Sequence, residues 1–231
     1  MVKDCPLLPD TIRMASMRTV TPTMDGKRRM LRIPFLAVFL LALLSGCYMP
    51  IRFDAEIELS SAGYYKFIFD GYLAKVELYD GLRKNKITST KEKEEVEKIK
   101  TDFTRDPSTK EFQYFKKGHF KVHWEREGDL VKTKSVTFFR RNEHMLGITY
   151  NSKLGRVQFA GHALTGDTKQ QIHDMGLGTT GEIRVFTDAK VISHNATKMK
   201  HDKKRGGNSK IYTWKIKNIF ARTPSLIIAL R

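Results

Sequence analysis

Gly176-Leu177-Gly178-Thr179-Thr180-Gly181 reads G-x-G-x-x-G, the spacing with which a strand-to-helix turn holds a dinucleotide pyrophosphate. That chemistry needs a buried strand before the glycines and a helix after them. Here the polar Lys169-Gln170-Gln171 comes before and a strand-like run, Glu182 to Thr187, comes after, so the glycines read as a loop. No lysine follows them, which excludes a phosphate-binding P-loop. His119 and His123 have the spacing of two metal ligands on one helical face. Their surroundings alternate, with apolar Phe120, Val122 and Trp124. On a strand the two imidazoles lie about 13 Å apart, too far to share an ion. They are expected to face solvent beside Lys121. His162, His173, Asp174 and His194 could converge only through folding, and nothing in their spacing requires it. There is no G-x-S-x-G and no outstanding carboxylate pair. The expectation is therefore no catalytic residue, no metal site and no cofactor, with a hydrolase ranked third among three function classes.

The remaining reactive residues are two cysteines, Cys5 and Cys47, which exclude a disulfide framework and a Cys-rich zinc site. Cys47 closes a recognisable segment. Lys27, Arg28, Arg29 and Arg32 precede an almost purely apolar run of 12 residues, Ile33 to Leu44. A bilayer span needs about 18 such residues, whereas a secretory h-region needs about 7–15. The run ends in Leu44-Ser45-Gly46-Cys47, which resembles the lipobox of bacterial lipoproteins. The resemblance implies that residues 1–46 are a signal peptide, that the Cys47 thiol receives a diacylglycerol, and that Cys47 becomes the N-terminus. The competing readings are a signal peptide with an incidental cysteine and a buried core helix. Acyl chains contribute about 0.8 kcal/mol per buried methylene, so membrane anchoring needs no further helix. Residues 1–23, with Pro6, Pro9 and Pro22, suit no leader, and translation is expected to start at Met24 or Met30. The Arg28-Arg29 pair reads as leader charge. The residue after the cysteine is Tyr48 and not Asp, which by resemblance to enterobacterial sorting favours the outer membrane in a host that has two.

The 231 residues carry 42 Lys+Arg against 25 Asp+Glu, a net +17. The hydrophobic share of 40% and aromatic share of 10% suffice for a core, which rules out wholesale disorder. Residues 47–231 are expected to form one domain. The excess of positive charge could suit nucleic acid, but export removes that partner. Lys198 to Gly207 is strongly basic and reads as an exposed loop between two strands. Its Lys198, Lys200, Lys203, Lys204 and Arg205 are either solvated or facing anionic head groups or an envelope partner. Each such residue near an anionic surface contributes about 1 kcal/mol. Asn195-Ala196-Thr197 matches a glycosylation acceptor that a bacterial lipoprotein would leave bare.

The elements that must position these residues are mostly strands. Ile51 to Leu59 alternates apolar and charged without a break, so a half-buried strand starts only a few residues after Cys47. Further runs rich in β-branched and aromatic residues are Tyr64–Phe69, Leu73–Tyr79, Phe120–Trp124, Val131–Phe139, Leu146–Tyr150, Val157–Ala163, Ile183–Thr187, Ile211–Ile216 and Leu226–Leu230. Asp70-Gly71, Asp80-Gly81, Gly128-Asp129 and Gly206-Gly207 read as turns. One helix is expected near 89–104, with Ser89 and Glu92 as a capping box, Glu94 and Lys98 paired, and Val96, Ile99 and Phe103 on its apolar face. A second short helix is weakly indicated between Asp167 and Met175. The fold class is α+β, a curved, mainly antiparallel sheet with one principal helix packed on it. Tyr64, Tyr65, Phe67, Phe69, Phe138, Phe139 and Phe159 are core residues by default, or the lining of an apolar cavity if the sheet curves widely.

The N-terminal strand after the cysteine, the central helix, Gly181–Asn195 and the late Tyr212–Ile216 strand with Trp214 resemble the LppM-type domain of bacterial lipoproteins. The resemblance implies a lipid-handling α+β fold and an acylated or glycolipid ligand. Two leading function classes follow. The first is a non-catalytic, lipid-anchored binding or assembly module of the cell envelope. The second is a lipid-binding or transfer domain with an aromatic-lined cavity.

Overall fold

Strict alternation makes the first strand. In β1 (Tyr48–Leu59), Phe53, Ala55, Ile57 and Leu59 enter the core, while Arg52, Asp54, Glu56 and Glu58 face outward. The computed structural model describes residues 48–139, 145–205 and 208–230. Cys47, the leader before it, Gly206 and Gly207 lie outside the described residues. The other strands are β2 (Tyr64–Lys75), β3 (Thr109–Tyr114), β4 (His119–Asp129), β5 (Ser135–Phe138), β6 (Leu146–Asn151), β7 (Arg156–Gly161), β8 (Thr180–Thr187), β9 (Lys190–His194), β10 (Lys198–His201), β11 (Lys210–Ile216) and β12 (Ser225–Ala229). The helices are α1 (Val76–Arg83), α2 (Ser89–Thr104), α3 (Leu130–Thr133) and α4 (Gly166–Asp174).

These elements make an α+β fold with two open sheets, where one was expected. The larger has the order β10-β11-β8-β1-β2-β4-β3 and the smaller β5-β6-β7-β12-β9. Every pairing is antiparallel except β1 with β8, which run side by side from Arg52↔Thr180 to Leu59↔Thr187. The inner faces meet in a single apolar cluster. Phe67, Phe69, Phe120, Val122 and Trp124 come from the larger sheet, and Val136, Phe138, Ile148, Phe159 and Ile228 from the smaller. Phe69 stacks on Phe138 at 4.0 Å, and Trp124 meets Phe138 edge-on at 5.3 Å. The Trp124 indole still finds a partner, donating to Asp106 Oδ2 at 3.0 Å. Burial would raise the Asp106 carboxyl, but the hydrogen bonds from Trp124 and Ser108 outweigh it and hold the group below the ordinary range.

The helix expected near 89–104 is α2, and Val96, Ile99 and Phe103 are its buried residues. Its cap lies one residue earlier than the spacing suggested: Thr88 accepts from the Lys91 N–H at 3.3 Å. Lys98 pairs with Glu95 at 2.7 Å and not with Glu94. Phe103 stacks on Phe139 at 3.8 Å and meets Tyr48 at 5.6 Å, so α2 closes the core where β1 begins. The Tyr114 hydroxyl donates to Glu92 and so ties β3 to α2. Burial and that hydrogen bond push its pKa up to about 12.

Other expectations are corrected. Tyr64–Phe69 and the start of Leu73–Tyr79 belong to one strand, β2, and the rest of the latter run is α1. Val131–Phe139 divides into α3 and β5. β3 and β9 lay in segments with no strand assigned, and β10 in the segment read as a loop. Gly71 is not a turn residue. It sits within β2 opposite Phe53, where a Cβ would come within 2.6 Å of the Arg52 carbonyl oxygen. Gly181 faces Phe53 from β8, and a Cβ there would meet the Phe53 carbonyl oxygen at 2.5 Å. Phe53 thus lies between two glycines that give its strand room on either side.

Candidate functional site

β1 gives the molecule two ends, and the chemistry is distributed between them. Its 12 residues span about 36 Å at roughly 3.3 Å per residue. Tyr48 marks the end that follows Cys47, and Leu59 marks the far end.

At the Tyr48 end the outer face of the larger sheet is covered by a second apolar cluster. Met49, Ala74 and Val76 pack there with Ile172, Leu177 and Ile219. Ile172 comes from α4, which Thr165 caps by accepting from the Thr168 N–H at 3.2 Å. The Tyr79 hydroxyl of α1 donates to the Met175 carbonyl at 3.2 Å, joining the two helices. Beside this cluster lies an open groove of about 440 Å³, lined by Ile51, Arg52, Tyr72, His119, Gly178 and Thr180. The Arg52 guanidinium sits 5.2 Å from the Tyr72 ring centre.

At the far end lies the basic hairpin. β10 pairs with β11 from Lys198↔Thr213 to His201↔Lys210, and Lys210 pairs with Thr187. Because Thr187 pairs with Leu59, the turn after His201 stands at the end remote from Tyr48. Lys198, Lys200, Lys203 and Lys204 are exposed. Arg205 is different, because it folds back onto the body. It bonds Glu58, reaches Asp202 at 3.0 Å and lies 4.2 Å over the Phe186 ring. The Asp202 side chain is only 5% exposed. Burial works against its charge, but Arg205 and the backbone N–H groups of Lys204 and Arg205 outweigh that and hold its pKa below the ordinary value. Arg205 thus fixes the turn, while Lys198, Lys200, Lys203 and Lys204 have no ion pair among the described residues.

The remaining sequence candidates separate. In G-x-G-x-x-G, α4 precedes the glycines and β8 follows, the reverse of a dinucleotide site. Gly176 has φ +82° just past α4 and Gly181 makes room for Phe53. His119 and His123 both lie on β4. His119 Nδ1 meets the Lys117 carbonyl at 3.0 Å, and His123 Nδ1 meets Asp70 at 2.9 Å. No group of three metal-ligating side chains occurs among the described residues. His173 contacts Asp174 and the Phe220 ring, whereas His194 lies against Tyr212. Arg184 of β8 spans two outward carboxylates of β1, at 2.7 Å from Glu56 and 3.6 Å from Asp54, and lies 2.8 Å from Glu182 of its own strand.

Of the aromatic residues read as core or cavity lining, Tyr65, Phe67, Phe69, Phe138, Phe139 and Phe159 are buried and Tyr64 is exposed. Phe138 meets both Phe67 and Phe69, so that group packs as core. Asn195 is a structural keystone. Its Oδ1 accepts from Trp214 Nε1 at 2.7 Å and from the Ser225 N–H at 2.8 Å, and its Nδ2 donates to the Thr223 carbonyl at 2.7 Å. It therefore links β11 of one sheet to β12 of the other. The sequence reading missed two features at the Tyr48 end, the exposed Phe115 and Phe220. Nothing in their neighbours distinguishes them from core phenylalanines.

No helix among the described residues is long and apolar enough to cross a membrane. No family model and no curated protein matches the chain. Among solved structures, the NMR structure of the folded domain of Mycobacterium tuberculosis LppM is similar at a TM-score of 0.37 and 12% identity, over 77% of this chain and 88% of that chain.

Proposed function

We propose that the chain is a bacterial cell-envelope lipoprotein whose Cys47 carries the lipid and whose α+β body is a non-catalytic binding or assembly module. The observation that carries this reading is the join between leader and body. Leu44-Ser45-Gly46-Cys47 ends an h-region-length apolar run, and the next residue, Tyr48, already pairs with Lys75 in the larger sheet. Such a body has no slack with which to move away from its anchor. Its Tyr48 end rests at the membrane and its hairpin stands away from it. Lys198, Lys200, Lys203 and Lys204 then serve an acidic envelope partner in preference to the anchoring bilayer. In a host with two membranes the anchor is in the outer one, facing the periplasm.

The test is the intact mass of membrane-extracted protein beside a Cys47→Ala variant. The expected mass is that of residues 47–231 plus acyl chains, and the variant loses the acyl mass. A mass that retains the apolar segment and no acyl chain overturns the proposal. A second reading, binding of a lipid or glycolipid, draws on the open groove, whose wall combines apolar Ile51 and Tyr72 with Arg52 and His119. The groove, and not a cavity among the core aromatics, is where that ligand would be sought.

A further inference from the structure

Exposed apolar side chains occur at both ends of β1. At the far end are Tyr64, Val131 and Leu154, 62%, 41% and 59% exposed. Gly63 of the β1–β2 turn lies against Val131 and Leu230, and the Leu230 N–H donates to the Gly155 carbonyl, which brings these segments together. At the Tyr48 end are Phe115 and Phe220, each 47% exposed. Phe115 opens the turn between β3 and β4, and the Gly118 carbonyl of that turn accepts from the Lys75 N–H, the residue paired with Tyr48. Phe220 follows Ile219, which belongs to the buried cluster that contains Met49 and Ala74. The Phe115 ring lies 5.4 Å from Tyr72 and the Phe220 ring 5.5 Å from His173, so both sit at the end of the fold where β1 begins.

Their surroundings are basic. Residues 115–118 and 217–222 contain Lys116, Lys117, Lys217 and Arg222 and no carboxylate. The neighbouring helices contribute Glu77 and Asp80 from α1 and Asp167 and Asp174 from α4. Asp80 is neutralised by Arg83 and Lys84 at 2.9 and 2.8 Å, and Asp174 accepts from Gln170 at 2.8 Å. None of the four cations in the two loops has a salt-bridge partner among the described residues. Aromatic rings flanked by cations suit the boundary between head groups and acyl chains, where the ring is buried and the charge meets lipid phosphate.

From this geometry we infer that the Tyr48 end is a membrane-docking surface, in which Phe115 and Phe220 enter the head-group region of an anionic bilayer and Lys116, Lys117 and Lys217 contact its phosphates. The inference rests on the anchor reading, because continuity with residue 47 is what selects this end over the far one. Docking fixes the orientation of the body, which an acyl chain alone does not.

The test uses the full-length protein processed in its host membrane and reconstituted in phosphatidylglycerol–phosphatidylcholine vesicles that contain brominated acyl chains. The native tryptophans, Trp124 and Trp214, are 0% and 2% exposed and serve as the unquenched background. Phe115→Trp and Phe220→Trp place probes on the docking end, and Tyr64→Trp and Met199→Trp place them remote from it, all at exposed positions that tolerate substitution. The expected result is quenching of the two docking-end probes and not of the other two. It weakens when Lys116, Lys117 and Lys217 are changed together to Glu, or when phosphatidylglycerol is left out. Equal absence of quenching at all four positions, or quenching of the remote pair alone, overturns the inference. The mass of the same sample reports the anchor separately, so an unacylated chain with quenched docking-end probes sinks the anchor and leaves the docking surface.

Discussion

The two ends of β1 are held by different forces. At the Tyr48 end, Met49, Ala74, Val76, Ile172, Leu177 and Ile219 exclude water from one another. At the far end, the hairpin is fastened by Arg205 to Glu58 and Asp202, and the β1–β2 turn by Ser61, whose N–H and Oγ donate to Asp188 at 2.7 and 2.8 Å. Apolar burial is indifferent to salt near the ranges cells use, whereas half-exposed charges are screened within about 8–10 Å. The apolar cluster next to the proposed anchor is thus the contact that salt leaves alone. The end that would meet a partner is the one that ions and pH can loosen.

The most direct way to break this contrast is to open the apolar cluster. Ile172 is 1% exposed, and Ile172→Ala should cost about 2–4 kcal/mol of unfolding free energy through lost burial and the cavity left behind. Urea denaturation at low and at high salt should return the same loss. A loss that changes with salt would mean that charge, not packing, holds this end. Next in size is Asn195→Ala, which strips the partner from the Trp214 indole N–H, a residue only 2% exposed, and from the Ser225 N–H. Two donors left unsatisfied predict a loss of about 2 kcal/mol. Because Asn195 joins the two sheets midway, the loss should appear as lower global stability with a red-shifted Trp214 emission, and with no change in hairpin protection relative to β1.

How far these features could be read from the chain depends on whether the signal is local. The alternation of Ile51–Leu59 and the spacing of Val96, Ile99 and Phe103 define faces without reference to anything distant, and both elements formed where they were expected. The boundary of β2 was unreadable for a physical reason. α1 starts at Val76 with no side-chain cap on Lys75, so the passage from strand to helix leaves no mark in the residue types. β10 was missed because an edge strand with all four residues exposed needs no alternation, and its lysines serve as well in a loop. Gly71 and Gly181 misled for one shared reason. Their role is set by Phe53, which is distant from both in sequence. Leu44-Ser45-Gly46-Cys47 can be read as a linear motif without any fold, whereas the exposure of Phe115 and Phe220 exists only once α1, α4 and the strand ends have assembled.

A smaller effect sharpens the contrast from the other side. Arg205→Ala removes the pairs with Glu58 and Asp202 and the contact with the Phe186 ring, all involving a side chain that is 40% exposed. The pair with Glu58 is half-solvated, and such pairs are worth about 1 kcal/mol or less, while Asp202 keeps two backbone N–H donors when the guanidinium is gone. The loss should shrink as salt is added, which Ile172→Ala should not show. A large, salt-independent loss would move Arg205 from the charged class to the packed one and erase the difference between the ends.

The smallest expected effect concerns acid. The Asp202 carboxyl has a folded pKa below its ordinary value of 3.8, because Arg205 and two backbone N–H groups stabilise the ionised form. Its contribution is therefore complete above about pH 4 and is lost as pH falls through the depressed folded value. The protection of the Lys204 and Arg205 N–H groups that Asp202 accepts, measured as hydrogen exchange relative to the intrinsic rate at each pH, should fall on acidification while that of β1 is kept. In Asp202→Asn the amide oxygen can still accept those N–H groups but cannot titrate, so the protection of the turn should be lower at neutral pH and no longer change over that interval. If the wild-type turn instead opened together with β1, the hairpin would share the cooperative unit of the sheet, and the far end could not respond to pH independently of the Tyr48 end.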